Sequence, residues 1–184
     1  MSYRGTFKYK EYYFKIEKMA DKDLLIKEKL DYTGIFDFAA MYSFAYGWFK
    51  YEEYTVIEEE YTEKVSGAIK EMVVKWKATK NLSDYFKIEY AIKFDLKGLT
   101  DVEVEIDKIK KKMQKGKVSI EIKGTLVKDP FSNWEGNPFN KFLREMYDKY
   151  IIPGRVEGMQ IKVIGDCRTF KDEMKRFFDT PGRR

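Results

Sequence analysis

The chain has 184 residues, 43% of them hydrophobic and 17% aromatic, so it is long enough to bury a core without disulfides or a metal. Its 36 basic and 31 acidic side chains nearly cancel, and a net charge of +5 does not by itself indicate a nucleic-acid partner. Histidine is absent and Cys167 is the single cysteine. This excludes an intramolecular disulfide, a zinc site of the Cys/His type and histidine-based catalysis.

The chain is expected to form one domain over residues 1–184, in the cytoplasm and without a membrane span. It begins MSYRGTFKYKEYYFK, which has no apolar signal core. No stretch approaches the roughly 18 uncharged apolar residues of a membrane helix. Lys and Glu are abundant while Asn and Gln are scarce, a composition typical of proteins from hot environments.

The first predicted elements are strands followed by a helix. Residues 12–16 alternate as a candidate N-terminal strand, and residues 24–32 form a second strand that Gly34 ends. Asp37 can cap a helix over residues 38–49. This helix carries no charge, so we expect it to be buried on most of its circumference or to face a partner.

Residues 54–128 are predicted to form a five-strand antiparallel meander. Apolar residues alternate with charged ones, and the turn signals between the runs are too short for crossover helices. The first strand is rich in glutamate, which is typical of an exposed edge. The predicted strands cover residues 54–64, 72–76, 86–96, 102–106 and 118–126, with turns at 81–84, 97–98 and 114–116.

Two further helices are predicted at the C-terminal end. The first begins at Pro138 with Asn137 as its cap, and Pro153 with Gly154 ends or kinks it. Residues 156–164 fit a strand or a helix, and the last helix is predicted to open at Thr169. The apolar face of the first helix comprises Phe139, Phe142, Leu143, Met146, Tyr147 and Tyr150. Residues 180–184 are expected to form a loose tail.

The predicted fold is therefore α+β: an antiparallel meander sheet of about six to seven strands, a helix after the early strands, and amphipathic C-terminal helices packed on one face. The element order over residues 24–152 resembles the helix-grip fold of the START and Bet v1-like proteins. In that family a curved antiparallel sheet wraps a C-terminal helix around an apolar cavity, so the resemblance implies an apolar-ligand carrier.

No catalytic motif is found: there is no P-loop, no Gly-rich dinucleotide fingerprint and no serine nucleophile elbow. We therefore predict no catalytic residue, no metal site and no cofactor, while carboxylates, Lys and Tyr leave an enzyme as an alternative. Glu103, Glu105 and Asp107 share a strand face that could hold a hard cation, or they are simply solvated. Glu28 lies between Ile26 and Leu30 on an apolar face, which makes it a candidate buried acid unless a bulge turns it to water.

The leading hypothesis is a non-catalytic interaction protein that binds a protein partner or a second copy of itself. One alternative is an apolar small-molecule carrier, and another is nucleic-acid or ribosome association. The candidate partner or ligand surface comprises Trp48, Phe49, Phe131, Trp134, Phe86, Tyr90 and Phe94; Phe131 and Trp134 could instead cover the open end of the sheet. The candidate phosphate-binding cluster comprises Lys108, Lys110, Lys111, Lys112, Lys115 and Lys117, which could equally be a solvated hairpin tip.

Overall fold

The computed structural model describes residues 21–106, 109–130 and 138–179. Helix α1 (Phe38–Tyr51) follows strand β1 (Asp21–Phe36) and precedes four further strands, and helices α2 (Pro138–Met146) and α3 (Pro153–Asp179) come last. The four strands are β2 (Thr55–Ser66), β3 (Ile69–Asn81), β4 (Phe86–Ile106) and β5 (Ile109–Lys128). The predicted α+β class is confirmed. The candidate strand at 12–16, the cap at Asn137 and the tail at 180–184 lie outside the described residues.

The five strands form one antiparallel sheet in the order β1-β5-β4-β3-β2. Strands β2 to β5 pair consecutively as the predicted meander, and β1 pairs with β5 along its whole length. Helix α1 carries the chain from β1 at one edge of the sheet to β2 at the other. Both α1 and α3 pack on the same face of the sheet.

The core lies between that face and the two helices. Its sheet side is the even-numbered apolar row that the alternation predicts, so that Phe86, Ile88, Tyr90, Ile92, Phe94 and Leu96 on β4 are all buried. Its helix side is formed by Met41, Ala45 and Phe49 of α1 and by Val163, Cys167, Phe170, Met174 and Phe178 of α3. Each element buries one apolar face, which is why the pattern of the sequence predicts this layer arrangement.

The opposite face of the sheet is polar. Lysine and carboxylate side chains of neighbouring strands alternate across it and form ion pairs, such as Lys27 with Glu121 at 3.3 Å and Lys75 with Glu60 at 2.6 Å. Each exposed ion pair of this kind contributes little to the free energy of unfolding at 25 °C. As a network they are the feature that the Lys/Glu-rich composition predicts.

The described residues contain five strands rather than six or seven. The two strands predicted over 86–96 and 102–106 are one continuous strand, β4, because Gly98 lies in a β-bulge and not in a turn. Gly98 has φ of 64°, and the register with β5 shifts between Lys97 and Thr100. A bulge and a turn both favour glycine, so the residue alone does not distinguish them.

Two other predicted breaks are also wrong, because both lie inside strands. Gly116, which is predicted in a turn, belongs to β5. Gly34, which is predicted to end the first strand, lies within β1 and is paired with Gly116. A side chain at Gly116 would approach Leu99 Cδ2 to 2.8 Å and the carbonyl oxygen of Lys97 to 3.0 Å. Glycine is required there by this close approach.

Helix α3 begins at Pro153 and not at Thr169, and the ambiguous residues 156–164 are helical. The reason is a single buried stripe at three- and four-residue spacing, Val163, Cys167, Phe170 and Met174, that runs through the predicted start. Pro153 occupies the first position of the helix, where proline is tolerated. The one long C-terminal helix packs on the sheet.

Candidate interaction surface

Helix α1 begins where the sequence predicts it, and the aromatic side chains of its charge-free part, residues 38–49, are largely used inside the fold. The Asp37 carboxylate accepts a hydrogen bond from the Ala40 amide at 3.0 Å and caps the helix. Phe49 is fully buried, and Trp48 is half-buried against Phe170 of α3, with ring centroids 5.2 Å apart. The absence of charge from residues 38–49 is therefore explained by packing against the sheet and α3.

The three predicted ligand-lining aromatics of β4 belong to the packed core. Phe86, Tyr90 and Phe94 are each 1–2% exposed. The Tyr90 ring lies 5.3 Å from that of Tyr54, and its hydroxyl donates to the carbonyl oxygen of Val163 at 2.9 Å. Their ring neighbours come from α1, from β3 and from the loops before β2 and β4. Phe131 and Trp134 lie outside the described residues.

Glu28 faces α3 and has a partner there. Its carboxylate accepts a hydrogen bond from Lys171 Nζ at 2.7 Å, and Arg168 Nε lies 3.9 Å away. The side chain is 23% exposed, so it is half-buried at the edge of the sheet rather than enclosed in the core. The space between β1, β5 and α3 beside it, which Leu30 and Met174 help to line, has no room for a water molecule.

The described lysines of the candidate phosphate-binding cluster lie on the β4–β5 ribbon, and two of them face carboxylates. Lys110 is directly opposite Glu105, and Lys112 is directly opposite Glu103. The same register accounts for two carboxylates of the predicted acidic strand face, Glu103 and Glu105, while Asp107 lies outside the described residues. Lys108 lies outside the described residues, and Lys115 and Lys117 are exposed farther along β5.

A depression of about 240 Å³ lies on the polar face of the sheet. Four lysines and three carboxylates on β1, β4 and β5 line it, together with one serine: Lys29, Asp31, Lys93, Asp95, Lys97, Lys117, Ser119 and Glu121. Asp95 is within 4 Å of both Lys93 and Lys97, and Asp31 is 3.0 Å from Lys29. The charges of the depression are thus largely compensated within it.

Burial moves the pKa of several side chains away from neutrality. It raises the pKa of the Cys167 thiol to about 12. It also raises the pKa of Tyr54, whose hydroxyl donates to Asp166 Oδ2 at 2.6 Å, and that of Tyr90 beside it. These groups stay protonated at neutral pH and are poorly suited to act as bases or nucleophiles.

Metal ligands are not grouped in the parts of the chain that the structure describes: no three Cys, Asp or Glu side chains are arranged to hold an ion. Within the same residues, no helix has the length and apolar character needed to cross a membrane.

Helix α2 and the turn after it expose a row of large apolar side chains. Every side chain of α2 that the structure describes is exposed, whereas the sequence predicts that its apolar face packs on the sheet. We call five side chains the α2 surface, with exposed fractions of 56, 39, 42, 63 and 69% respectively: Phe142, Leu143, Met146, Tyr150 and Ile151. Phe139 adjoins them and is 63% exposed.

The π-helical turn Tyr147–Ile151 anchors this helix to the body of the protein. Tyr147 is half-buried with its ring 6.1 Å from that of Tyr85, and Ile152 is buried. Tyr150 and Ile151 belong to the same turn and remain exposed. The sequence predicts the apolar stripe but not its exposure. The same spacing of apolar residues occurs in a helix that packs on a core and in one that binds a partner.

The α2 surface is not part of the surface predicted from the sequence. Of that predicted surface, Phe49, Phe86, Tyr90 and Phe94 are buried in the core and Trp48 is half-buried, while the remaining two residues lie outside the described part of the chain. The resemblance to helix-grip proteins stays a prediction, because no family model, no curated protein and no solved structure matches this chain.

Proposed function

We propose that this protein is a non-catalytic interaction protein and that it docks to its partner through the α2 surface. The observation that carries the proposal is the row of large apolar side chains on α2 and the π-helical turn that follows it, from Phe142 to Ile151, all between 39 and 69% exposed. Exposed apolar patches of this kind are typical of interaction sites.

The size of the α2 surface supports a specific contact. Large side chains present on the order of 150–250 Å² each, so five of them at about half exposure present about 500 Å². Buried area does not convert to affinity at a fixed rate between proteins, but about 500 Å² is the size of the largest apolar patches on monomers, about 300–600 Å², which are often functional. A partner with an apolar surface of its own buries a comparable area.

The length of α2 supports the same conclusion. It has nine residues, followed by the five of the π-helical turn, and its described side chains do not pack into the core. Isolated helices shorter than about 12–15 residues are marginal in water. Contact with a partner supplies the packing that such a helix otherwise lacks.

The chemistry of the buried polar groups favours binding over catalysis. The pKa of Cys167, Tyr54 and Tyr90 is raised by burial, so none of the three is poised for proton transfer near neutral pH. Glu28 is held by Lys171 in an ion pair at the sheet edge. Each of these groups is accounted for as a part of the fold.

Site-specific photocrosslinking tests the proposal. A photoreactive benzoyl-phenylalanine is incorporated at Phe142, and as a matched control at Tyr51, which is 85% exposed at the end of α1. Each protein is irradiated in concentrated extract of the source cells and also in pure form. We expect a discrete adduct from position 142 and none from position 51.

An adduct of defined mass from position 142 supports docking, whether the captured chain is a second copy or another protein. Adducts of equal yield from positions 142 and 51, or none from either, contradict it. The yield from position 142 should fall at least tenfold when Met146→Glu is added, because the charge interrupts the apolar row without touching the core.

A further inference from the structure

The polar face of the sheet carries an uneven distribution of charge, which indicates a second binding surface. We propose that this face binds double-stranded nucleic acid through the phosphate backbone, without reading the base sequence. The proposal goes beyond the contact through the α2 surface, because it concerns other residues and a partner of different chemistry.

The basic part of the polar face is the block in which β1, β5, β4 and β3 lie side by side. We call its outward side the lysine face, and it comprises the outward positions of residues 22–33, 117–127, 87–97 and 73–81. Ten lysines and four carboxylates occupy the positions that alternate with those facing the core. The depression at its centre is nearly neutral, but lysines exceed carboxylates by six over the whole face. The net charge of the chain is +5, so its positive charge is concentrated here.

The carboxylates of the lysine face are more buried than its lysine side chains. Glu89, Asp95 and Glu121 are only 13–27% exposed, and each lies within 4 Å of the ammonium groups of two lysines. Five of these six lysine side chains are 43–64% exposed. A ligand that approaches the face therefore meets ammonium groups before carboxylates.

Like charges also lie directly opposite each other on neighbouring strands of this face. The register opposes three pairs of lysines: Lys97 with Lys117, Lys75 with Lys93, and Lys27 with Lys123. Directly opposed like charges destabilise a sheet. The carboxylates relieve this repulsion only in part, because three of them each serve two lysines. Phosphate groups supply the missing negative charge, so the arrangement is more favourable with a polyanion bound.

The other outward residues favour a nucleic-acid duplex over other polyanions. The described outward positions of the lysine face hold no aromatic side chain, whereas single-stranded nucleic acid is bound by stacking its bases on aromatic rings. Insertion into an anionic membrane uses large apolar anchors, and among these described positions Leu24 at one corner is the one large hydrophobic side chain that is exposed. Along residues 87–97 the face is about 33 Å long, close to the roughly 34–36 Å of one duplex turn.

Fluorescence anisotropy with labelled duplexes of about 20 base pairs tests the proposal, with one duplex of DNA and one of RNA. The wild type should bind with a dissociation constant of about 10⁻⁴–10⁻⁶ M at physiological salt. For about four phosphate contacts, the affinity should fall on the order of 100-fold between 50 and 200 mM NaCl. Duplexes of unrelated sequence should bind equally well, because only the backbone is contacted.

A pair of double variants separates the lysine face from the net charge of the chain. Lys97→Gln with Lys117→Gln removes one opposed pair, and Lys50→Gln with Lys175→Gln removes the same charge from exposed positions on α1 and α3. The first variant should bind at least tenfold more weakly and with a shallower salt dependence. Its midpoint of urea unfolding should be unchanged or higher, because a repulsive pair is lost. The control should bind within about twofold of the wild type.

No binding of the wild type to either duplex at 50 mM NaCl overturns the proposal, and so does an equal loss of affinity in both double variants. Tighter binding to the single strand than to the duplex also overturns it. Vesicles of phosphatidylserine and phosphatidylcholine that displace the duplex at an equal concentration of phosphate assign the face to lipid instead. Binding of only one of the two duplexes supports the proposal and identifies the type of nucleic acid. Photocrosslinking at position 142 reports on a different surface, so the proposed function stands or falls separately.

Discussion

Gly124 on β5 lies at a close contact between the sheet and α3. A Cβ atom at this position would be 2.9 Å from Ile26 Cγ2, 2.9 Å from Tyr90 Cε1 and 2.9 Å from Val163 Cγ1. These atoms belong to two neighbouring strands and to α3, so no single movement relieves all three contacts. Only glycine permits the observed packing of α3 on β5.

Gly124→Ala should therefore lower the free energy of unfolding by about 1–3 kcal/mol, the usual effect of overpacking a core. Gly158→Ala is the matched control, because Gly158 is exposed on α3 and nothing lies within 4 Å of a Cβ atom there. The control should raise stability by about 0.5–1 kcal/mol, since alanine favours the helix. Urea unfolding of the two variants measures both effects, and equal effects would contradict the close approach at Gly124.

Glu28 shows how far single residues can be predicted from the sequence. The position between Ile26 and Leu30 indicates an acid on an apolar face, which implies that it needs a partner. The partner, Lys171, is 143 positions away and approaches only because α3 lies across β1. Local periodicity identifies the need for an ion pair, whereas the identity of the cation depends on how the helix crosses the sheet.

At the scale of elements, the β4–β5 ribbon extends past its neighbours. The last pair with β3 is Lys70 with Leu99, and the last pair with β1 is Phe36 with Gln114. Beyond these pairs the two strands support each other alone, apart from side-chain contacts such as that of Lys70 with Asp101. A two-stranded ribbon is marginal in water, so its cross-strand pairs decide whether it stays closed.

The double variant Lys110→Glu with Lys112→Glu should loosen this ribbon, because it places glutamates directly opposite Glu105 and Glu103. Like charges at opposed positions cost on the order of 0.2–1 kcal/mol per pair. Lys111→Glu is the control, since it faces Val104. Amide hydrogen exchange at residues 109–114 should accelerate in the double variant and change little in the control. Equal protection in both variants would show that the cross-strand charges are irrelevant.

The elements themselves were predictable to different degrees. The period-two alternation identified the inner face of β4 and β5, because burial on one face leaves a regular pattern. Gly98 was predicted as a turn because turns and bulges require the same backbone freedom. The apolar stripe of α2 is also predictable, yet its exposure depends on where the helix lies relative to the core. The periodicity of the sequence alone does not indicate that position.

At the scale of the whole molecule, the absence of histidine leaves no side chain with an ordinary pKa between 5 and 8. Several carboxyl groups have a pKa below their usual range: Glu60 through its hydrogen bond to Lys75, and Glu89 because the lysines around it outweigh its burial. On the alkaline side, burial raises the pKa of Cys167 to about 12 and also that of Tyr54.

Stability should consequently be flat from about pH 5 to 9 and fall on both sides. A depressed carboxyl pKa contributes stability above the unfolded value of 4.5, and this is lost as the pH falls through the folded value. A raised thiol pKa contributes stability below the unfolded value of 9.0, and this is lost as the pH rises toward about 12. Urea unfolding across pH 3–11 measures this curve, and a sharp change between pH 6 and 8 would contradict it.

The most direct measurement for the molecule as a whole is amide hydrogen exchange at residues 138–151, followed as the pure protein is diluted. If a second copy covers the α2 surface, these amides are protected at high concentration. They should become exposed on dilution, as the mass falls from twice 22.0 kDa to 22.0 kDa. Phe142→Glu should expose them at every concentration. Protection that is the same at all concentrations and in the variant would contradict self-association through the α2 surface.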